Sequence, residues 1–168
     1  MNILELFAPI RTFIFDVDGV LTDGNLLLTE DGNMLCSMNI KDGYALQLAV
    51  QKEYNVWIIS SGKSEAVRLR LHKLGVTEVH TGIENKKEFL ERIARIANTP
   101  YETILYMGDD IPDYAAMHLC ALPCCPSDAV NEIKQIAKYI SPYNGGNGCV
   151  RDVIEKVMKL NGHWELPV

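Results

Sequence analysis

Two rhythms of apolar and polar residues alternate along this chain. Short apolar runs of strand length recur at TFIFDV (12–17), VWIIS (56–60), EVHT (78–81), TILYM (103–107), ALPCC (121–125) and KYIS (138–141). Between them lie longer, helix-like segments. GYALQLAVQKE (43–53) and SEAVRLRLHKLG (64–75) carry apolar residues at helical spacing, with Ser64 placed to cap the second and Gly75 to stop it. ENKKEFLERIARIA (84–97), PDYAAMHLC (112–120), SDAVNEIKQIA (127–137) and VRDVIEKVMKL (150–160) complete the set. Strand and helix in alternation predict a Rossmann-like, doubly wound α/β fold, with a parallel sheet covered by helices on both faces. In such folds ligands bind at the carboxyl ends of the strands.

One segment breaks the alternation. NLLLTEDGNMLCSMN (25–39) reads as two strands around a turn at Asp31-Gly32. It follows the first strand, so it is expected to project beside the ligand-binding edge. Leu26, Leu27, Leu28, Met34, Leu35 and Met38 are too apolar for a lone exposed ribbon, which is marginal by itself. The hairpin is expected to fold onto its own domain or to pack against another subunit.

The chain has 168 residues, with no repeat, low-complexity segment or linker, and is read as one domain over 1–168. Hydrophobic residues make up 48% and charged residues 23%, ordinary values for a globular protein. A net charge of −6 with no basic run argues against nucleic acid as a partner. No stretch approaches the roughly 20 apolar residues of a membrane span. The N-terminal MNILELFAPIRTF carries Glu5 and no basic leader, so a cytoplasmic location is expected. The 5 cysteines are odd in number and unevenly spaced, with Cys124 and Cys125 adjacent; reduced, partly buried thiols are expected rather than a disulfide framework.

Three polar clusters fall at strand ends. Asp16 and Asp18 close the first strand within FDVDG, and alternate residues of an extended segment project to one side. Two carboxylates that close share a proton or hold a cation, and hard cations such as Mg²⁺ take oxygen ligands. YMGDDIPD (106–113) supplies Asp109, Asp110 and Asp113, with Pro112 suited to the first turn of a helix. An aspartate beside Mg²⁺ can attack phosphorus, and phosphoryl transfer needs cations and hydroxyl donors around the transferring group. Ser60 or Ser61 can donate, Lys86 of ENKKEF is a candidate cation, and Asp18 is placed to act as acid and then base. Taken alone, the acids at 109–113 also read as helix N-terminal charges favoured by the dipole, and NKKE as a solvated helix face.

DVDGVLTDG at the first strand, a serine after the second, an isolated lysine and GDDIPD after a later strand occur in that order over nearly the whole chain. Together they resemble the haloacid dehalogenase superfamily of phosphatases. The resemblance implies that Asp16 is the nucleophile and Asp18 the general acid and base. It implies that Mg²⁺ is bound by the Asp16 side chain, the Asp18 backbone carbonyl and Asp109, with Asp113 in support. It makes Lys86 the partner of nucleophile and phosphate, and Ser60 the phosphate-binding hydroxyl. Related sequences place Thr before Gly-x-Lys, whereas this chain has Ser60-Ser61-Gly62-Lys63, so Ser61 stays an alternative.

A narrower resemblance rests on the hairpin, NIKDGYAL (39–46), the GDD form of the last motif and GGNGCVRDV (145–153). These are similar to the phosphatases of 3-deoxy-D-manno-octulosonate 8-phosphate (KDO 8-phosphate), on the route to lipopolysaccharide. Members of that group are small and cap-less. They assemble as homotetramers whose hairpins form an inner barrel and whose neighbouring subunits close the active sites. The resemblance implies a sugar-acid phosphate substrate, with Lys41, Asp42, Gly43, Lys63 and Arg151 as substrate contacts. The alternatives are a sialic-acid-type nonulosonate 9-phosphate as substrate, or a non-catalytic regulatory subunit. For Asp42 the ordinary reading is a place near a helix start; for Gly145, Gly146 and Gly148, a mobile loop; for the tail NGHWELPV (161–168), a frayed end.

Overall fold

The structure is a computed structural model that describes residues 2–168. Its centre is a sheet of six strands: β1 (Thr12–Phe15), β4 (Asn55–Ile59), β5 (Glu78–His80), β6 (Ile104–Met107), β7 (Leu122–Cys125) and β8 (Tyr139–Ile140). They lie in the order β5-β4-β1-β6-β7-β8, and every neighbouring pair is parallel. The chain therefore winds outward from β1 in both directions, as the alternation predicts. β1 has its first neighbours on both sides, so its carboxyl end is the point where the two halves diverge.

Each face of the sheet buries its own apolar layer because successive strand residues point to opposite sides. Phe13 and Phe15 face one layer with Leu105 and Met107; there α1 (Ile40–Gln51) and α6 (Cys149–Leu160) pack together with α2 (Glu65–Lys73). Ile14, Ile59 and Tyr106 face the other, under α3 (Lys86–Ile96), α4 (Ile111–Met117) and α5 (Asn131–Ile136). The N-terminal segment contributes Phe7 and Ile10 to the first layer. Cys120, Cys124, Cys125 and Cys149 are buried, whereas Cys36 is exposed on the hairpin.

Helix boundaries follow their caps. Asn39 accepts from the Lys41 and Asp42 amides, which starts α1 three residues before the apolar pattern announces it. Ser64 caps α2 through Val67 N, and Gly75, at φ +89°, takes the left-handed conformation just past its end. Asn85 caps α3 and Asp110 caps α4. α5 is shorter than its apolar pattern, because Pro126 and the turn at 127–130 occupy its expected start.

The segment at 25–39 turns back on itself, but only β2 (Leu27–Leu28) and β3 (Met34–Leu35) pair, antiparallel. Thr29 and Asn33 close the turn, with Gly32 at φ +87°. The ribbon does not fold onto the rest of the chain. Leu27, Leu28 and Met34 are 66%, 69% and 67% exposed, an apolar surface that water disfavours.

Candidate active site

Asp16 directly follows β1. Its Oδ1 accepts from the amide of Val17 at 2.7 Å, which bends the chain out of the sheet. The turn at Val17–Leu21 is irregular: Gly19 sits at φ +83°, and Thr22 N closes the loop onto Val17 O at 3.0 Å. Gly19 has a packing reason as well. A Cβ there would lie 1.9 Å from Asp109 Oδ2, so the aspartate after β6 rests against bare backbone.

Lys86, at the first position of α3, reaches under this turn. Its Nζ lies 2.9 Å from Asp16 Oδ1 and 2.7 Å from Asp113 Oδ1, with the Lys86 side chain 1% exposed. Asp113 is fully buried on α4. Its Oδ1 also accepts from the Tyr106 hydroxyl at 2.9 Å, and its Oδ2 from the Asp109 amide at 3.3 Å. Asp113 is thereby committed to holding Lys86 and the strand end. Burying a charge is tolerable when it is paired and fully hydrogen-bonded, and this chain of contacts meets that requirement.

The electrostatics follow from burial. Burial first, then Asp113, push the Asp16 carboxyl well above its ordinary value, against the pull of Lys86. Burial works against the charge on Lys86, but Asp113 and Asp16 outweigh it and raise the ammonium. Burial and the carboxylates of Asp113 and Asp110 raise Asp109 to about 7. The Tyr106 hydroxyl is pushed far up by burial and Asp113, so it stays a donor.

Oxygens of Asp16, Asp109 and Asp113 come within 4.8 Å of one another. Asp109 Oδ1 is buried and has no hydrogen-bond partner. A buried, unpartnered carboxylate oxygen beside a second carboxylate suits a hard divalent cation, which takes oxygen donors and offsets the charge. Asp113, rather than Asp18, supplies the third carboxylate of this cluster. The Asp18 side chain turns outward to the 60–64 loop, where a Cβ on Gly62 would stand 3.0 Å from its Oδ2.

A cleft of about 240 Å³ joins Asp16, Asp18, Ser61, Lys86, Asp109 and Asp110. A second cavity of about 700 Å³ shares Asp18 and Gly24 with it and is lined by Ser60, Lys63 and the hairpin residues Met34 and Cys36. Ser60 and Ser61 differ in their commitments. Ser61 Oγ donates to Ile83 O at 2.9 Å, whereas Ser60 Oγ accepts from Gly62 N at 3.2 Å and keeps its own proton for another acceptor. Asp110 holds Ile111 N as a helix cap.

The remaining sequence candidates are not brought to this cleft. Lys41 and Arg151 line a separate cavity of about 930 Å³ between α1 and α6. The Arg151 guanidinium lies over the rings of Trp164 at 5.1 Å and Tyr44 at 5.8 Å, and its Nε donates to Glu155. The tail is docked on its own chain, with Tyr54 Oη 2.8 Å from His163 Nδ1. Gly43 is buried against Arg70 and Leu74 of the α2 segment. Asp42 is 1% exposed and faces α6 instead of solvent. Its carboxylate accepts from Arg151 N at 2.8 Å and Gly148 N at 3.3 Å, because those helix-end amides need an acceptor that Gly148 cannot supply. Sequence reasoning left out Tyr106, although a buried tyrosine at a strand end signals a hydroxyl in need of a partner.

Comparison with known proteins agrees with this geometry. A family model described as haloacid dehalogenase-like hydrolase matches residues 72–154. The 3-deoxy-D-manno-octulosonate 8-phosphate phosphatase KdsC of Escherichia coli K12 is 34% identical over 162 residues, spanning 96% of this chain and 86% of the relative. The chain belongs to the haloacid dehalogenase-like phosphatases. Solved structures of such phosphatases superpose closely. That of 3-deoxy-D-manno-octulosonate 8-phosphate phosphatase from Yersinia pestis gives a TM-score of 0.92 at 27% identity, covering 96% of this chain and 87% of that one. The Moraxella catarrhalis enzyme, in complex with magnesium, phosphate and KDO, gives 0.90 at 28% identity, covering 95% and 91%. Haloacid dehalogenase-like chemistry thus gives the cluster at the end of β1 a context that sequence and fold share.

Proposed function

We propose that this phosphatase hydrolyses KDO 8-phosphate to KDO and phosphate, with Asp16 as nucleophile and Mg²⁺ as its cofactor. The observation that carries the reading is Lys86 gripped between Asp16 and Asp113 beside the unpartnered oxygen of Asp109. An ordinary strand end has no use for three carboxylates and a lysine at this burial. The names of the relatives supply the substrate.

Asp16 attacks phosphorus in line, the bond from phosphorus to the sugar oxygen breaks, and Asp18 gives its proton to that oxygen. Water, deprotonated by Asp18, then attacks the aspartyl-phosphate, which releases phosphate and restores Asp16. Lys86 and the Ser60 hydroxyl offset charge on the phosphoryl oxygens. Mg²⁺ held by the side chains of Asp16 and Asp109, and by the Asp18 backbone carbonyl, would share that task and keep Asp16 ionised. Gly62, without a side chain, lets the Asp18 carboxylate lie close against the 60–64 loop. Lys63, in the cavity that adjoins Asp18, is the cation we assign to the sugar-acid portion.

We further read residues 1–168 as one cap-less unit that assembles as a homotetramer in the cytoplasm. The exposed leucines of the hairpin support the assembly, and Lys41 and Arg151, remote from their own cleft, are reserved for a neighbour's substrate. An exposed free thiol at Cys36 suits a reducing compartment. The test is Mg²⁺-dependent phosphate release from a panel of KDO 8-phosphate, a sialic-acid-type 9-phosphate, hexose phosphates and a generic aryl phosphate. A strong preference in kcat/KM for KDO 8-phosphate is expected. Preference for the 9-phosphate replaces the substrate, and no hydrolysis of any of them turns the reading to a regulatory subunit.

A further inference from the structure

The N-terminus of α6 has no cap of its own. Its N-cap residue, Gly148, sits at φ +109° and has no side chain to offer. Asp42 supplies the acceptor from another helix, with its two oxygens on Gly148 N and Arg151 N. The loop that leads into α6 is what touches the catalytic turn. Gly146 N donates to Val20 O at 2.9 Å, and Cys149 Sγ lies 3.3 Å from the same oxygen. A Cβ on Gly145 would stand 1.9 Å from Gly19 O, and one on Gly146 would stand 2.6 Å from Asp23 N. Backbone is seated on backbone. On its other side, Gly19 abuts the Asp109 carboxylate.

A continuous path thus runs from Asp42 through the start of α6 and the glycine loop to the turn that carries Asp16 and Asp18. We infer that Asp42 is a positioning residue of the phosphatase centre: it fixes α6, and through Gly145 and Gly146 the catalytic turn, without touching substrate. The inference rests on the proposed reading of Asp16 and Asp109, but its mechanical part can be tested apart from turnover. Asparagine at position 42 keeps one acceptor and turns an N–H₂ group toward the other amide, which loosens the cap at nearly constant size.

The experiment compares Asp42→Asn with the wild-type chain by deuterium exchange and by steady-state kinetics. Faster exchange is expected in peptides covering 144–152 and also 16–24, with peptides from α3 unchanged. A fall in kcat of about 10- to 100-fold is expected, the scale at which loss of an outer-shell partner acts. The loss should be equal for KDO 8-phosphate and an aryl phosphate, with KM little changed. Cys149→Ala, which removes one contact to Val20 O, should show the same pattern more weakly and carries the test if Asp42→Asn does not fold. Unchanged exchange at 16–24 overturns the inference. So does a KM rise confined to the sugar acid, which marks a substrate contact, or a lower melting temperature with kcat intact, which marks a structural cap alone. If the wild-type chain hydrolyses no phosphate, the proposed function fails while the exchange result still decides the coupling.

Discussion

Neutralising Asp109 should make the metal-free protein more stable, an unusual outcome for a change in an active site. The carboxyl moves from an ordinary 3.8 to about 7, chiefly because burial disfavours its charge. At about 1.36 kcal/mol per pH unit, the cost of ionising it in the folded state is capped at about 4 kcal/mol. Asp109 is only partly buried, and solvent screening brings a realistic figure to about 2 kcal/mol. The sign follows from proton binding. The folded chain holds this proton more tightly than the unfolded chain, so stability is unaffected below the ordinary value, falls as pH rises from about 4 to about 7, and stays lowered above that. An asparagine in its place has no proton to lose. In urea or thermal denaturation with EDTA, the wild-type protein should lose about 2 kcal/mol more than Asp109→Asn between pH 4 and pH 8, or about 4–8 °C in Tm. Millimolar Mg²⁺ should restore the wild-type protein and leave the variant unmoved. Parallel pH curves for the two proteins in EDTA would refute the argument that this carboxylate is held charged at a cost until a cation arrives.

Asp16→Asn should lower kcat by at least about 1,000-fold while circular dichroism stays native, since the proposed nucleophile is removed without a change of shape; a folded, active variant ends the covalent scheme. Lys86→Met leaves Asp16 and Asp113 buried without their cation, and should cost about 3–5 kcal/mol at pH 8, measured by urea denaturation. That cost should shrink as pH falls, because the raised Asp16 carboxyl takes up a proton in the folded state. Leu28→Glu on the exposed ribbon should reduce the mass seen by size exclusion with light scattering to that of one chain; an unchanged mass would remove the hairpin from the assembly.

The parts of this molecule that were legible in sequence are local. Short continuous apolar runs mark strands buried on both faces, helical spacing marks the helices, and a pair of aspartates after FIF marks a strand end as chemical. What was not legible depends on contacts between distant segments. The resemblance sets Asp113 in support of Asp109, but its partners are known only once α4 buries it against Lys86 and Tyr106, residues 27 and 7 positions away. Asp42, in a helix start rich in polar residues, gives no hint that its acceptor oxygens serve a helix more than 100 residues later. Ser60 and Ser61 are chemically equal in the sequence; the fold separates them, through the carbonyl of Ile83 and the amide of Gly62 and by placing Ser61 in the cleft with Asp16 and Ser60 in the adjoining cavity. The paired part of the hairpin is shorter than its apolar run, because apolar content suggests strand wherever it occurs, while only Leu27–Leu28 and Met34–Leu35 find backbone partners.

The glycine seat beneath the turn that carries Asp16 and Asp18 also bears on how this enzyme can diversify. At Gly145 and Gly146 a side chain would enter neighbouring main chain, and at Gly19 it would enter the Asp109 carboxylate, so every single substitution adds atoms into occupied space and no graded series of variants leads away from the present arrangement. The turn to which the proposed mechanism assigns the chemistry is therefore closed to gradual adaptation from below. The opposite wall, formed by the hairpin and by Lys63, is lined by exposed side chains that can be exchanged one at a time. Selection for a new phosphate ester would act on that wall, and the reaction itself would be inherited unchanged.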